Sequence, residues 1–422
     1  MSMSKPIWNT RPSAFEVAPA QQSEARKILD FVYLSEGLSN SFLITTPEGR
    51  MVINTGMGFE GPTHKRLYDA VDDSPIRYVV FTQGHVDHVG GTDVFLEPGT
   101  EILAHANNQE HQSYDGRLAT FRARRSFFAF MEAILQANAK LPDGPPAKQS
   151  RPVPTTTFSE NLSLDFGGQH FEFIATPGGE TRDSLIIHLP EHKAVFSGNL
   201  FSCLFGHIPN LCTMRGDRYR DALEFAESAE RVLALDCELL LVGHGPPLEG
   251  RDLIRREIER VRDATLYLHD ETVRGMNDDK PVDQLMQEIQ LPEHLAVGEG
   301  YGKVSWDIRA IWENYSGWFH QRSTTELFET SAASIHEDLV ELSGGSDAIG
   351  KRARACLDAG EPVKALHLTD IALSVTPRDP DLLAICRDAH RALEKESTNF
   401  WETKWLQHQA SRIEGELSEL KI

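Results

Sequence analysis

The 422-residue chain has few of the features that would place it outside the ordinary globular enzymes. Its five cysteines, Cys203, Cys212, Cys237, Cys356 and Cys386, are scattered and odd in number. That argues against a disulfide frame and for reduced thiols in the cytoplasm. No apolar run approaches the roughly 20 residues of a membrane span, and Met1 to Lys27 shows no apolar core of signal-peptide type. Positive charge is scarce, with 42 Lys and Arg against 63 Asp and Glu and a formal net charge of −21. That balance disfavours nucleic acid and anionic membranes as partners. It leaves an anionic small molecule open, because the local field at a metal opposes the global charge.

The most informative stretch is Thr82-Gln83-Gly84-His85-Val86-Asp87-His88, followed by Val89-Gly90-Gly91. It follows Tyr78-Val79-Val80-Phe81, an apolar run that reads as a buried strand. A strand end that delivers two His and an Asp within a span of four residues is a metal-site pattern, since they supply N and O ligands. The spacing predicts a loop, on which the ligands converge, with Gly90-Gly91 turning into a helix. A distant strand end, Leu241-Val242-Gly243-His244-Gly245, offers a further imidazole.

These motifs resemble the metallo-β-lactamase superfamily, whose signature is His-x-His-x-Asp-His after a strand. Val52-Ile53-Asn54-Thr55-Gly56 is similar to its early strand and turn. Ala175-Thr176-Pro177-Gly178-Gly179-Glu180 is similar to the third motif, with Glu180 where most members have His. Phe196-Ser197-Gly198-Asn199 is similar to the Ser-Gly-Asp turn. Pro-Gly-x-Glu is the form seen in alkylsulfatases of the superfamily. The segment Tyr301 to Phe319 and the run Leu342-Ser343-Gly344-Gly345-Ser346-Asp347-Ala348 resemble the alkylsulfatase dimerisation domain. The resemblance implies an α/β fold, an αββα sandwich followed by an all-α dimerisation domain. The expected organisation is an N-terminal arm over 1–25, a catalytic domain over 26–277 and a helical dimerisation domain over 278–422. Periodicity agrees: strand and hairpin patterns run from Phe31 to Ile53, Leu162 to Ile174 and Ser184 to Ser197. Helices are expected over 62–72, Arg117 to Leu141, Asp217 to Leu235 and Gly250 to Val273. Residues 335–395 read as helical pairs, with Ala355 to Ala392 resembling one tetratricopeptide-like unit.

The resemblance implies two metal positions. Asp87, His88 and His244 would hold one ion, zinc in the first instance, and a hydroxide on it would attack an ester-like bond. Gln83, His85 and Glu180 would hold the other, with Asn199 at the bridging place. Here Gln83 stands for a His, Asn199 for an acid and Asn54 for a supporting Asp. Each change removes a ligand or an anion, so the expectation is one tight ion and a second weak or absent. Asp87, His85 and Asn199 are the candidate catalytic residues. Arg215 sits where alkylsulfatases contact sulfate, and Ser305-Trp306-Asp307 replaces their Ser-His-Asn, which puts an indole toward the substrate. The substrate class is therefore a sulfate ester, a carboxylic ester or a lactone, apolar or amphiphilic. Two His and one carboxylate equally suit a mononuclear iron oxygenase, and loss of ligands equally suits a degenerate assembly homologue. The aromatic run Trp306, Trp312, Tyr315, Trp318 and Phe319 is expected in the core or at a homodimer interface. Arg122, Arg124 and Arg125, beside Phe127, Phe128 and Phe130, read as an amphipathic helix or a lid.

Overall fold

The computed structural model describes residues 6–139 and 148–420. They form two compact units, Met1–Tyr315 and Ser316–Ile422. The first holds two sheets. One runs β1 (Arg26–Leu29), β2 (Val32–Ser35), β3 (Ser41–Thr46), β4 (Gly49–Ile53), β5 (Ile76–Val80), β6 (Glu101–His105) and β7 (Thr156–Phe158), in sequence order. The other contains β8 (Asn161–Phe166), β9 (Gln169–Ala175), β10 (Leu185–Leu189), β11 (Ala194–Gly198), β12 (Leu239–Val242) and β13 (Leu248–Glu249), paired from β13 back to β8.

Strand periodicity dictates the layering. Successive side chains point to opposite faces. Phe42, Ile44, Met51 and Ile53 therefore face Phe171, Phe173, Ile187 and Phe196 across the sandwich. The intervening Leu43, Val52 and Val79 turn outward onto Leu67 and Tyr68 of α1 (Gly61–Asp69). Ile186, Val195 and Leu240 turn the other way, onto Phe225 and Val232 of α5 (Ala222–Leu233) and Ile254 and Ile258 of α6 (Arg251–Asn277). Strands buried on both faces need apolar residues throughout, and β4, β10, β11 and β12 are buried at every position. The result is the αββα sandwich.

The helices follow in chain order: α2 (Val86–Val89), α3 (Asn108–Arg117), α4 (Ala119–Ala139), α5 (Ala222–Leu233), α6 (Arg251–Asn277), α7 (Val282–Glu288) and α8 (Val304–Ser316). The expected helix from Asp217 starts later, because Asp221 caps it by accepting from the N–H groups of Leu223 and Glu224. The expected break at Pro142 to Pro146 lies outside the described residues. Residues 6–25 lie against the sandwich, with Ile7 buried beside Phe201 and Phe205. The segment after α6 packs here too: Val282, Leu285, Ile308 and Ile311 share a core with Ile208 and Leu268. Trp312 is part of that core, whereas Tyr315 is exposed, so the aromatic run of the sequence divides.

The second unit contains α9 (His336–Leu342), α10 (Ser346–Asp358), α11 (Pro362–Val375), α12 (Pro380–Glu396) and α13 (Phe400–Glu419). The tetratricopeptide-like segment has its faces covered within the unit. Ala372 and Leu382 pack on Val340 and Ile349, and Leu383 and Cys386 on Ile413 and Leu417. Among the described residues no helix is long and apolar enough to cross a membrane.

Candidate metal centre

The carboxyl ends of the parallel pairs β4–β5 and β11–β12 open on one edge of the sandwich. Ligands collect at such strand ends, and the motifs of the sequence meet there. The backbone ties the sheets together at this edge, with Leu185 N–H donating to Thr82 O and Asn40 N–H to Gly243 O. Asn54 takes a left-handed φ of 57°, which Asn tolerates better than most residues. Its side chain receives the Thr82 N–H and donates to Thr82 Oγ1, both at 3.0 Å. Asn54 therefore fixes the exit of β5 just before Gln83.

The motif itself is helical, which corrects the expected loop. His85 precedes the first turn, and Val86 to Val89 form α2, so Asp87 and His88 project from one short helix. Gly90-Gly91 follows this helix and leads into a short 3-10 helix, Thr92–Phe95, as the expected turn would. A Cβ on Gly91 would come within 2.8 Å of Gly61 Cα, so the glycine serves close packing of the motif against the start of α1.

Asp87, His88 and His244 converge. Asp87 Oδ2 lies 3.6 Å from His88 Nε2 and 3.8 Å from His244 Nε2. Ligand atoms around one tetrahedral zinc lie roughly 3.3 Å apart, so the trio fits one ion with a slight contraction. His88 is fully buried, and neither ring nitrogen has a hydrogen-bond partner among the described residues. Such a group costs folding free energy, and a metal ligand role explains it. His244 donates its Nδ1–H to Leu38 O at 2.6 Å, which leaves Nε2 to face Asp87. Burial lowers the His88 pKa, which favours the neutral ring that a metal ligand requires. Burial pushes the Asp87 carboxyl up, but His88, His244 and Arg215 outweigh it and hold it below its ordinary value.

Beside this trio lies a second cluster. Gln83 Nε2 stands 2.6 Å from His85 Nδ1 and 3.1 Å from Glu180 Oε2. Arg220 pairs with Glu180 at 3.2 Å, and Arg215 Nη2 lies 3.3 Å from His85 Nε2. Burial, then Arg215, His111 and Arg220, drive the His85 pKa well below its usual value. Burial works against the charge on Arg215, yet Tyr301, Asp217, Asp115 and Glu180 more than offset it and raise its pKa. Asn199 is buried with Oδ1 unpartnered, against Gly243, where there is no room for a Cβ. His85, Gln83, Glu180 and Arg215 are thus brought together, while Asn199 is placed only against Gly243. Trp306 is half-buried on α8. Its carbonyl accepts from Cys212 Sγ, and Lys303 lies 5.8 Å over its ring.

Three neighbours lay outside the sequence reading of the site. His111 of α3 stacks edge-on to His85, with centroids 4.9 Å apart, and forms a possible ligand group with His85 and Asp115. Arg122 already pairs with Asp115, and Arg215 with His85, so cations hold the places a dication would need. Tyr301, read only as part of the dimerisation motif, is electrostatically coupled to Arg215, Glu180 and Asp87. Glu60 is buried behind Leu38.

The chain belongs to the metallo-beta-lactamase superfamily, whose model matches residues 34–244, half of the chain. A second model, alkyl sulfatase dimerisation, matches residues 281–416. Among curated proteins the chain is similar to a linear primary-alkylsulfatase of Pseudomonas sp. (strain ATCC 19151). The two are 29% identical over 397 residues, which is 89% of this chain and 74% of that protein. It is 23% identical to an alkyl/aryl-sulfatase of Saccharomyces cerevisiae, covering 90% of this chain and 62% of the relative. The solved structure of a stereoselective inverting sec-alkylsulfatase from Pseudomonas sp. shares the fold, with a TM-score of 0.81 at 23% identity. That match covers 93% of this chain and 66% of the other. The chain thus spans just under two thirds of the yeast relative and of the solved structure.

Proposed function

We propose that this protein is a metal-dependent hydrolase that cleaves the sulfate ester of an apolar or amphiphilic alcohol. The observation that carries the proposal is His88, wholly buried with both nitrogens unpartnered, one of them beside the Asp87 carboxylate that also faces His244. Asp87, His88 and His244 would hold the ion, and zinc suits two neutral imidazoles and one carboxylate. A zinc ion there would supply Lewis acidity for the hydrolysis. His244 is oriented by Leu38 O, and the Arg215 guanidinium favours an ionised Asp87 for its ligand role.

Arg215 would bind the sulfate. Its Nε is buried without a partner, and its Nη2 reaches the edge of the site at His85. A charged donor aimed at an anion gives both attraction and orientation. Tyr301, coupled to the same guanidinium, would help align the ester. The resemblance to alkylsulfatases over nearly the whole chain supports sulfate over carboxylate as the group cleaved. The assay is hydrolysis of matched dodecyl sulfate and dodecanoyl ester substrates by zinc-loaded wild type and by His244→Ala. Sulfate release that is lost in the variant and after chelation is the expected result. Turnover of the carboxylic ester alone would overturn the substrate class, and turnover unaffected by His244→Ala would overturn the metal-centre reading.

A further inference from the structure

Glu60 is a buried carboxylate outside every motif of the site. Only 2% of its surface is exposed, and no cation pairs with it in the structure's described residues. Three backbone N–H groups hold it instead: Leu38 at 2.8 Å and Ala20 at 3.0 Å on Oε1, and Met57 at 3.0 Å on Oε2. Burying a carboxyl group on backbone donors alone is costly, so the placement needs a reason. Leu38 supplies it, because the carbonyl of that residue receives the Nδ1–H of His244 at 2.6 Å. The same loop touches the site twice more. The Ser39 hydroxyl donates to Asp87 O, and Asn40 Nδ2 donates to the carbonyls on both sides of His244, Val242 and Gly245, at 2.8 Å each.

We propose that Glu60 is a positioning residue for the metal centre: by gripping the Leu38 N–H it sets the Leu38 carbonyl that orients the His244 ring. It also fastens the loop to the N-terminal arm at Ala20 and to the turn before α1 at Met57. The partner that fixes a ligand imidazole governs both its orientation and its basicity, and disturbing one costs roughly 10- to 100-fold in metal affinity. The inference rests on His244 being a metal ligand.

The test is zinc affinity, measured by competition with a chelator on the full chain, for wild type, Glu60→Gln, Gly37→Ala and His244→Ala. Glu60→Gln keeps the shape but sets an amide donor against one of the three N–H groups. Gly37→Ala keeps the carboxylate but adds a Cβ that would come within 2.5 Å of Glu60 Oε1, so it carries the test if the Gln variant fails to fold. Zinc binding weakened by roughly 10-fold or more in Glu60→Gln, and in the same direction in Gly37→Ala, is expected. Melting of the metal-free proteins is followed in parallel. A fall in metal-free stability with zinc affinity unchanged would reduce Glu60 to a structural residue and overturn the proposal. If His244→Ala binds zinc as tightly as wild type, the metal-centre reading fails. If His244→Ala loses zinc while both other variants retain it, the Glu60 inference alone fails.

Discussion

Gln83 Nε2 lies 2.6 Å from His85 Nδ1 and bridges it to Glu180, so an amide stands between two groups that elsewhere in the superfamily hold an ion. The amide nitrogen offers zinc no lone pair, and it engages His85 Nδ1 and Glu180 Oε2, which leaves Gln83 only its Oε1, a weak zinc ligand. Arg220 on Glu180 and Arg215 on His85 add positive charge at the same place, and a dication there would be repelled. We expect one tightly held divalent ion per chain by elemental analysis. Gln83→His combined with Asn199→Asp should raise the count toward two. Two ions held tightly by the unmodified protein would contradict this account.

The convergence of Asp87, His88 and His244 was legible because each lies a few residues past an apolar strand pattern, in motifs whose order survives in one dimension. The layering was legible because alternation at Phe42 to Ile44 and Met51 to Ile53 states which face is inward. The helicity of Val86 to Val89 was not. Two β-branched residues flanking Asp and His have little helical preference, and the turn is set by packing against Gly61. His111 and Glu60 lie outside every motif, and their roles depend on which loops meet at the sheet edge. Tyr301 was visible as part of a motif but not as a neighbour of Arg215, since 86 positions separate them by number alone.

The second unit leaves apolar surface open to solvent. Trp318 is 72% exposed and Leu342 84%, with Leu327, Phe328 and Ile335 also exposed between them. Exposed apolar residues at this density mark an interaction surface, and the dimerisation model spans all of them. We expect a homodimer by light scattering at micromolar concentration. Replacing Trp318 and Phe328 together by Ser should shift the mass toward the monomer. A monomeric wild type would remove this surface from consideration as a dimer contact.

His64 predicts an acid limit on stability. It is fully buried, its Nδ1 lies 2.7 Å from Ser35 Oγ, and burial drives its pKa from 6.5 down to about 3. Below pH 6.5 the unfolded chain takes up a proton that the folded chain refuses, so stability falls as pH drops from 6.5 toward 3. Glu60, raised by burial to about 7, acts in the opposite sense over part of this window, so the comparison must isolate His64. We expect the loss of unfolding free energy between pH 7 and pH 5 to be smaller by about 2 kcal/mol in His64→Gln than in wild type. Equal losses in the two proteins would show that His64 is accessible to protons in the folded state.

The buried, unpartnered His88 sets the last expectation. Without metal, its two nitrogens are desolvated for no return, and that burden on the fold is relieved when an ion binds. Ligand that binds only the folded state stabilises it by mass action, by about 4 kcal/mol at a thousandfold excess over the dissociation constant. Zinc should therefore raise the melting temperature of the wild type by several degrees. His88→Leu removes the ligand and the unpartnered nitrogens together while filling the space, so its metal-free form should melt no lower than metal-free wild type. Its melting temperature should then be insensitive to zinc. Calorimetry with and without the metal separates the outcomes. A variant that still gains stability from zinc would place the ion elsewhere, and one that melts far below metal-free wild type would mean His88 serves the fold instead of the metal.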